Sequence, residues 1–186
     1  MFRLTPLVRN LVIINVVVFL AQNLLSNLHL TEYLSRYGAS ISPNFKPYQF
    51  FTYMFAHGGF GHIFFNMFAL ASFAPILEGY WGEKKFLIFY LATGIGAGII
   101  YAAANFFLGT GAGGIMLGAS GAIYGILMAF GMVFPNLELM LLFPPLPIKA
   151  KYMVFIMGFI TYALDRSGTG SAPGTFWWCI RGVYHY

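Results

Sequence analysis

Charge is what this chain has least of. Only 8% of its 186 residues are Asp, Glu, Lys or Arg, against ~25% in an ordinary soluble domain. That scarcity excludes a water-soluble globule. With 59% hydrophobic residues, the expected core is helices packed on helices within lipid. Cysteine is nearly absent as well. The single Cys179 forbids an intrachain disulfide, and no histidine stands next to it to make it a nucleophile. No small-residue cleavage site follows the first apolar run from Leu11, so that run reads as a span and not as a signal peptide. Repeats and low-complexity tracts are missing, and neither a cofactor nor a metal site is expected. The net charge of +5 does not indicate nucleic acid, because the basic residues fall in loops, where membrane topology uses them.

What the chain has in abundance is apolar runs. Five spans are expected, at about 11–28, 50–77, 86–107, 118–134 and 150–164, within one membrane domain of residues 1–174; residues 175–186 form a divergent tail. The fold class is therefore an all-α polytopic membrane bundle. Residues 29–49 read as an interfacial loop, broken by Ser42-Pro43 and Lys46-Pro47 and carrying Tyr33, Tyr37, Phe45 and Tyr48. His29 is an ordinary histidine of that loop. Gly94, Gly96 and Gly98 mark close packing on the third span, and residues 135–149 form a proline-rich loop. With the N-terminus inside, the inner segments hold Arg3, Arg9, Lys84, Lys85, Lys149 and Lys151, and the outer loops hold Arg36, Lys46 and Arg166. The positive-inside rule places the N-terminus in the cytoplasm. Ser120 and the His57–His62 end of the second span then face outward.

Two polar features interrupt the runs. Ser120 stands at the head of the fourth span in Gly118-Ala119-Ser120-Gly121, after a glycine-rich loop. One reading makes it a small contact residue, since Gly121 and Gly125 form a GxxxG pair. The other puts it to chemical use, because a serine at a helix N-terminus, beside amide donors and a histidine, suits acyl transfer. The second feature is His57, His62 and Asn66. His62 and Asn66 are four apart and share one helix face. Polar side chains there either bond to a neighbouring helix or mark a functional site.

Gly118-Ala119-Ser120-Gly121 preceded by His57-x4-His62-x3-Asn66 resembles the rhomboid family of intramembrane serine proteases. Phe45-Lys46-Pro47-Tyr48-Gln49, Thr52-Tyr53-Met54-Phe55-x-His57 and Glu78-x2-Trp81-Gly82 agree in order, and the similarity extends from about Arg9 to Pro173. The resemblance implies a six-helix bundle with a water-filled cavity open to the outer face. It implies Ser120 as nucleophile and a histidine on the sixth span as general base. His62 and Asn66, with the Ser120 amide, would hold the oxyanion, and His57 would support the site. Gly121 and Gly125 would let the fourth and sixth helices approach. The implied partners are transmembrane protein substrates and the bilayer, and the implied location is a bacterial inner membrane, as a multi-pass protein.

The tail departs from that pattern. A sixth span opening with histidine should follow Gly174, yet the chain reads Thr175-Phe176-Trp177-Trp178-Cys179-Ile180-Arg181-Gly182-Val183-Tyr184-His185-Tyr186. Twelve helical residues reach ~18 Å, short of a ~30 Å core. His185 would stand ~15 Å beyond the expected position, too far from a serine that must come within ~3 Å of its base. The expectation is a Ser–His dyad impaired in this chain. Trp177-Trp178-Cys179 forces TGGTGGTG, which reads Gly-Gly one base forward, and the neighbouring codons are compatible with His-Phe-Gly-Gly. A frameshift near the Gly174 codon is the expected cause. The alternative function is a non-catalytic relative that binds membrane clients. A small transporter or channel is more distant, since no inverted repeat is visible.

Overall fold

The computed structural model describes residues 4–37, 46–108, 115–140, 147–153 and 155–156. Among these, three helices are long and apolar enough to cross a membrane: α1 (Pro6–Leu24), α4 (Phe60–Trp81) and the first 22 residues of α5 (Glu83–Leu108). A shorter apolar helix, α6 (Ser120–Val133), is buried along most of its length. Two helices of one turn or so, α2 (Leu30–Leu34) and α3 (Gln49–Thr52), lie between α1 and α4. The chain is an all-α, multi-pass membrane protein, trimmed by two small antiparallel ribbons. One pairs β1 (Arg36–Tyr37) with β2 (Ile115–Met116), the other β3 (Glu138–Met140) with β4 (Pro147–Lys149).

The second apolar run does not enter the membrane as one helix. Residues 49–55 form α3 and a following 3-10 turn, Ala56 is extended, and the span begins at Phe60. Gly58 and Gly59 break the helix between them, so His57 lies in a loop ahead of α4 and not on it. At the other end α1 starts earlier than residue 11 because Pro6 supplies a preset φ at the first turn. The fifth expected span is helical at residues 150–153 and 155–156. Its remainder, the tail with Cys179 and His185, and any sixth span lie outside the described residues.

Helix α6 packs between α5 and α4, and α1 packs on α4. Phe130 of α6 meets Phe73 of α4 edge-on at 5.1 Å between ring centres, and Trp81 meets Phe89 across the α4–α5 turn at 5.0 Å. Lipid provides no partner for a hydroxyl or amide, and several side chains inside the spans bond to their own helix. Asn15 donates to the Leu11 carbonyl (2.8 Å), Ser72 to Phe68 (2.7 Å) and Thr93 to Phe89 (2.8 Å).

Helix α1 is tied to α4 at both ends. Thr5, the residue capping the start of α1, donates its hydroxyl to the buried carboxyl of Glu78 near the end of α4. Seventeen positions along, Gln22 reaches the loop that opens α4, where its Oε1 accepts the His57 N–H at 3.0 Å. A helix rises ~1.5 Å per residue, so the two ties lie ~25 Å apart, close to the thickness of the hydrocarbon core. His57, His62 and Ser120 therefore sit at one membrane face, and Glu78 at the other.

Candidate active site

Gly118 is the point on which the site closes. Its φ is +105°, a conformation that side-chain-bearing residues rarely adopt. A β-carbon built there would fall 2.6 Å from Cε1 and Nε2 of His62 and 3.4 Å from Nδ2 of Asn66. The absent side chain is thus the space that the two polar groups of α4 occupy. The Gly118 N–H donates to the Tyr53 carbonyl at 2.9 Å, which holds the turn against the segment before α4. Two residues on, Ser120 opens α6, half-buried. The first i to i+4 bond of this helix runs from the Ile123 N–H to the Ala119 carbonyl (3.0 Å), so the amides of Ser120, Gly121 and Ala122 precede it.

Hydrogen-bond donors gather here, an arrangement that can bind negative charge. Asn66 is buried, and its Nδ2 finds no acceptor among the described residues. A buried amide left without a partner costs ~1–3 kcal/mol, which suits a group that binds a developing negative charge. His62 lies one turn before Asn66 on the same face of α4. His57 packs its ring edge-on against His62, with centroids 5.2 Å apart and planes at 66°. Its Nδ1 lies 3.2 Å from the Phe55 carbonyl, which can only accept, so the ring proton sits on Nδ1.

Burial, and then repulsion from a protonated His62, pull the pKa of His57 down from 6.5 to about 4, although the Phe55 carbonyl favours the charged ring. Between those values the unfolded chain binds a proton that the folded chain refuses. Stability is therefore full above pH 6.5, falls at up to ~1.4 kcal/mol per unit on acidification, and levels below pH 4. Thermal unfolding in detergent is expected to track this slope, and His57→Gln to flatten it. Parallel curves for the two proteins would contradict the assignment.

The structure thus places His57, His62, Asn66 and the Gly118 turn together, with Ser120 two residues beyond. Among the described residues, Gly121 and Gly125 meet α5. Added β-carbons would lie 2.6 Å from Ala97 Cβ and 2.7 Å from Thr93 Cβ, so both glycines face α5, the third span. The sixth helix that the resemblance sets against them is outside the described residues. Three contributors were not read from the sequence. Tyr53 braces the turn through its carbonyl and donates its hydroxyl to the Gly94 carbonyl at 2.5 Å. Gly118 appeared only as motif spacing. Gln22, a buried polar residue near the end of an apolar helix, carries the same sequence signal as His62 and Asn66.

The family model for the Rhomboid domain matches residues 44–173. The chain is 32% identical over 93 residues to "Rhomboid protein 1, mitochondrial" of Saccharomyces cerevisiae, covering 50% of this chain and 27% of the relative. It is 33% identical over 87 residues to "Putative rhomboid protease YdcA" of Bacillus subtilis, covering 46% of this chain and 41% of the relative. Each alignment spans less than half the length of the relative it matches.

Proposed function

The chain belongs to the rhomboid family, and we propose that it is an intramembrane serine endopeptidase acting on transmembrane protein substrates within the bilayer. The observation that carries this reading is the convergence of His62 and Asn66 on Gly118, directly ahead of Ser120 at the head of α6. Ser120 is the nucleophile. Its attack on a peptide carbonyl develops an oxyanion, which the Ser120 N–H and the side chains of His62 and Asn66 stabilise. Buried donors aimed at that charge are worth several kcal/mol because no water competes for it. His57 supports His62 from the loop side.

The dyad needs a general base, and the family's base is a histidine on the sixth span. Residues 165–184, where the resemblance sets that histidine, contain none, so turnover is slow and rests on the oxyanion site and on binding. Six inner and three outer basic residues support a cytoplasmic N-terminus, with the site open to the opposite face of a bacterial inner membrane. The non-catalytic alternative is not favoured, since a client-binding relative has no use for Ser120, His62 and Asn66 together.

Covalent labelling of the detergent-solubilised chain with a fluorophosphonate tests this. The expected result is slow labelling that disappears in Ser120→Ala and weakens at least tenfold in Asn66→Ala. Labelling that survives Ser120→Ala overturns the nucleophile. Rapid labelling of the unmodified chain overturns the impaired dyad.

A further inference from the structure

We infer that Gln22, on the first membrane span, is a positioning residue that holds the His57–His62 pair in register with the Ser120 turn. The inference rests on the reading of that cluster as a serine-protease site.

The backbone at His57 lies between a 3-10 turn and the start of α4, where neither element supplies a partner for its N–H. His57 is only 3% exposed, so that amide must be satisfied inside the protein. Gln22 supplies the acceptor from a different helix, at 3.0 Å. Its other end is fixed too, because Nε2 donates to the Thr31 hydroxyl on α2 at 2.9 Å. A glutamine bonded at both ends and itself only 7% exposed is held to one conformation, which distinguishes a brace from a polar group that merely snorkels.

The brace reaches the reacting end in three contacts. Gln22 fixes the His57 backbone, and the Phe55 carbonyl fixes the orientation of the His57 ring. That ring abuts His62 edge-on. The His62 ring in turn fills the space between Gly58 and Gly118, with Nδ1 toward the first and Nε2 toward the second. A shift of His57 is therefore passed through His62 into the Gly118 turn. Polar residues that only glue helices together contribute to stability. Here the bond ends on the loop that carries a site residue, so its loss is read at the site.

The test is the nuclear Overhauser cross-peak between the His57 and His62 ring protons in the full chain, histidine-labelled, in detergent micelles. The unmodified chain is expected to show it, and its absence there overturns the inference. Gln22→Leu is expected to reduce it at least fivefold, with the melting temperature changed by no more than a few degrees. Gln22→Glu is expected to restore it, since the carboxyl keeps an acceptor for His57 and the Thr31 hydroxyl can turn to donate to it. A full cross-peak in folded Gln22→Leu overturns the inference. If Gln22→Leu does not fold, Thr31→Val, which frees the far end of Gln22, decides by the same loss or persistence.

Ser120 labelling is followed in parallel. Cross-peak changes without any Ser120-dependent labelling in the unmodified chain overturn the protease reading and leave Gln22 as the brace of the histidine pair. Unchanged labelling in a Gln22→Leu protein that has lost the cross-peak overturns its role toward Ser120.

Discussion

Replacing Gly118 by alanine is expected to cut Ser120-dependent fluorophosphonate labelling at least tenfold while the protein stays folded. Two effects act together. At φ +105° a β-carbon strains the backbone, at a cost on the order of 1–3 kcal/mol for an L residue in a sparsely populated region. The same β-carbon would lie 2.6 Å from two atoms of the His62 ring, closer than atoms can approach. The ring is the softer partner, since the turn is held by the Gly118 bond to the Tyr53 carbonyl. His62 therefore rotates away, and the oxyanion loses a donor. Removing one such donor costs ~10²–10³ in rate in other serine hydrolases, so the loss at the site exceeds the loss of stability. Labelling within twofold of the parent, in a protein that melts normally, would refute this account.

Gly125→Leu is expected to be the most destabilising single change on α6. Here the obstruction lies between two helices and has no soft partner. Even a methyl at 125 would lie 2.7 Å from Cβ and Cγ2 of Thr93 and 2.9 Å from its Oγ1. Thr93 cannot swing clear, because its hydroxyl is bonded to the Phe89 and Tyr90 carbonyls of its own helix. The helices must separate, and without water in the bilayer close packing is the main attraction between them. Overpacking a well-filled interior costs ~1–3 kcal/mol for small increments, and a leucine is a large one. The melting temperature in detergent should fall by well over 5 °C, given that ~1 kcal/mol shifts it ~2–4 °C at this size. Gly125→Ala combined with Thr93→Gly exchanges the two volumes across the interface, and should recover much of what Gly125→Ala alone loses. A double-mutant cycle without that coupling would show that the α5–α6 contact tolerates separation.

Both results turn on glycines, and the sequence marked them unevenly. Gly121 and Gly125 were visible as a small-residue pair because four-residue spacing puts them on one helix face. The spacing says that something packs closely there, but not which helix does. In the fold the partner is α5, with Ala97 and Thr93, and the sixth helix expected from resemblance is outside the described residues. Gly118 was visible only as part of a motif. Its positive φ arises where the chain turns from β2 into α6 under the Tyr53 carbonyl, a contact between residues 65 apart in sequence.

The boundaries show the same division. Hydropathy found the apolar segments, since the cost of placing polar groups in hydrocarbon is local and additive along the chain. It merges residues 50–59 into the second span because those residues are apolar, although the short helices end at Phe55, Ala56 is extended, and α4 begins afresh at Phe60 after Gly58 and Gly59. The ribbon pairing Arg36–Tyr37 with Ile115–Met116 left no trace in either segment, since two-residue strands carry no period. Of the ties of α1, Glu78 was legible as part of the Glu78-x2-Trp81-Gly82 motif, and Gln22 only as a polar residue near the end of an apolar run.

Membrane helices and membership of the rhomboid family are legible in the residues alone, and Ser120, His57, His62 and Asn66 stand out there as the candidate site. Composition decides partition into lipid, and a motif of fixed spacing survives translation into a helix face without knowledge of its neighbours. It takes the packed fold to bring His62 and Asn66 together at Gly118, to turn Gly121 and Gly125 toward α5, and to carry Gln22 to His57 from another helix. Those are contacts between segments distant in sequence, fixed by which helices pack together, and no local pattern of residues encodes them.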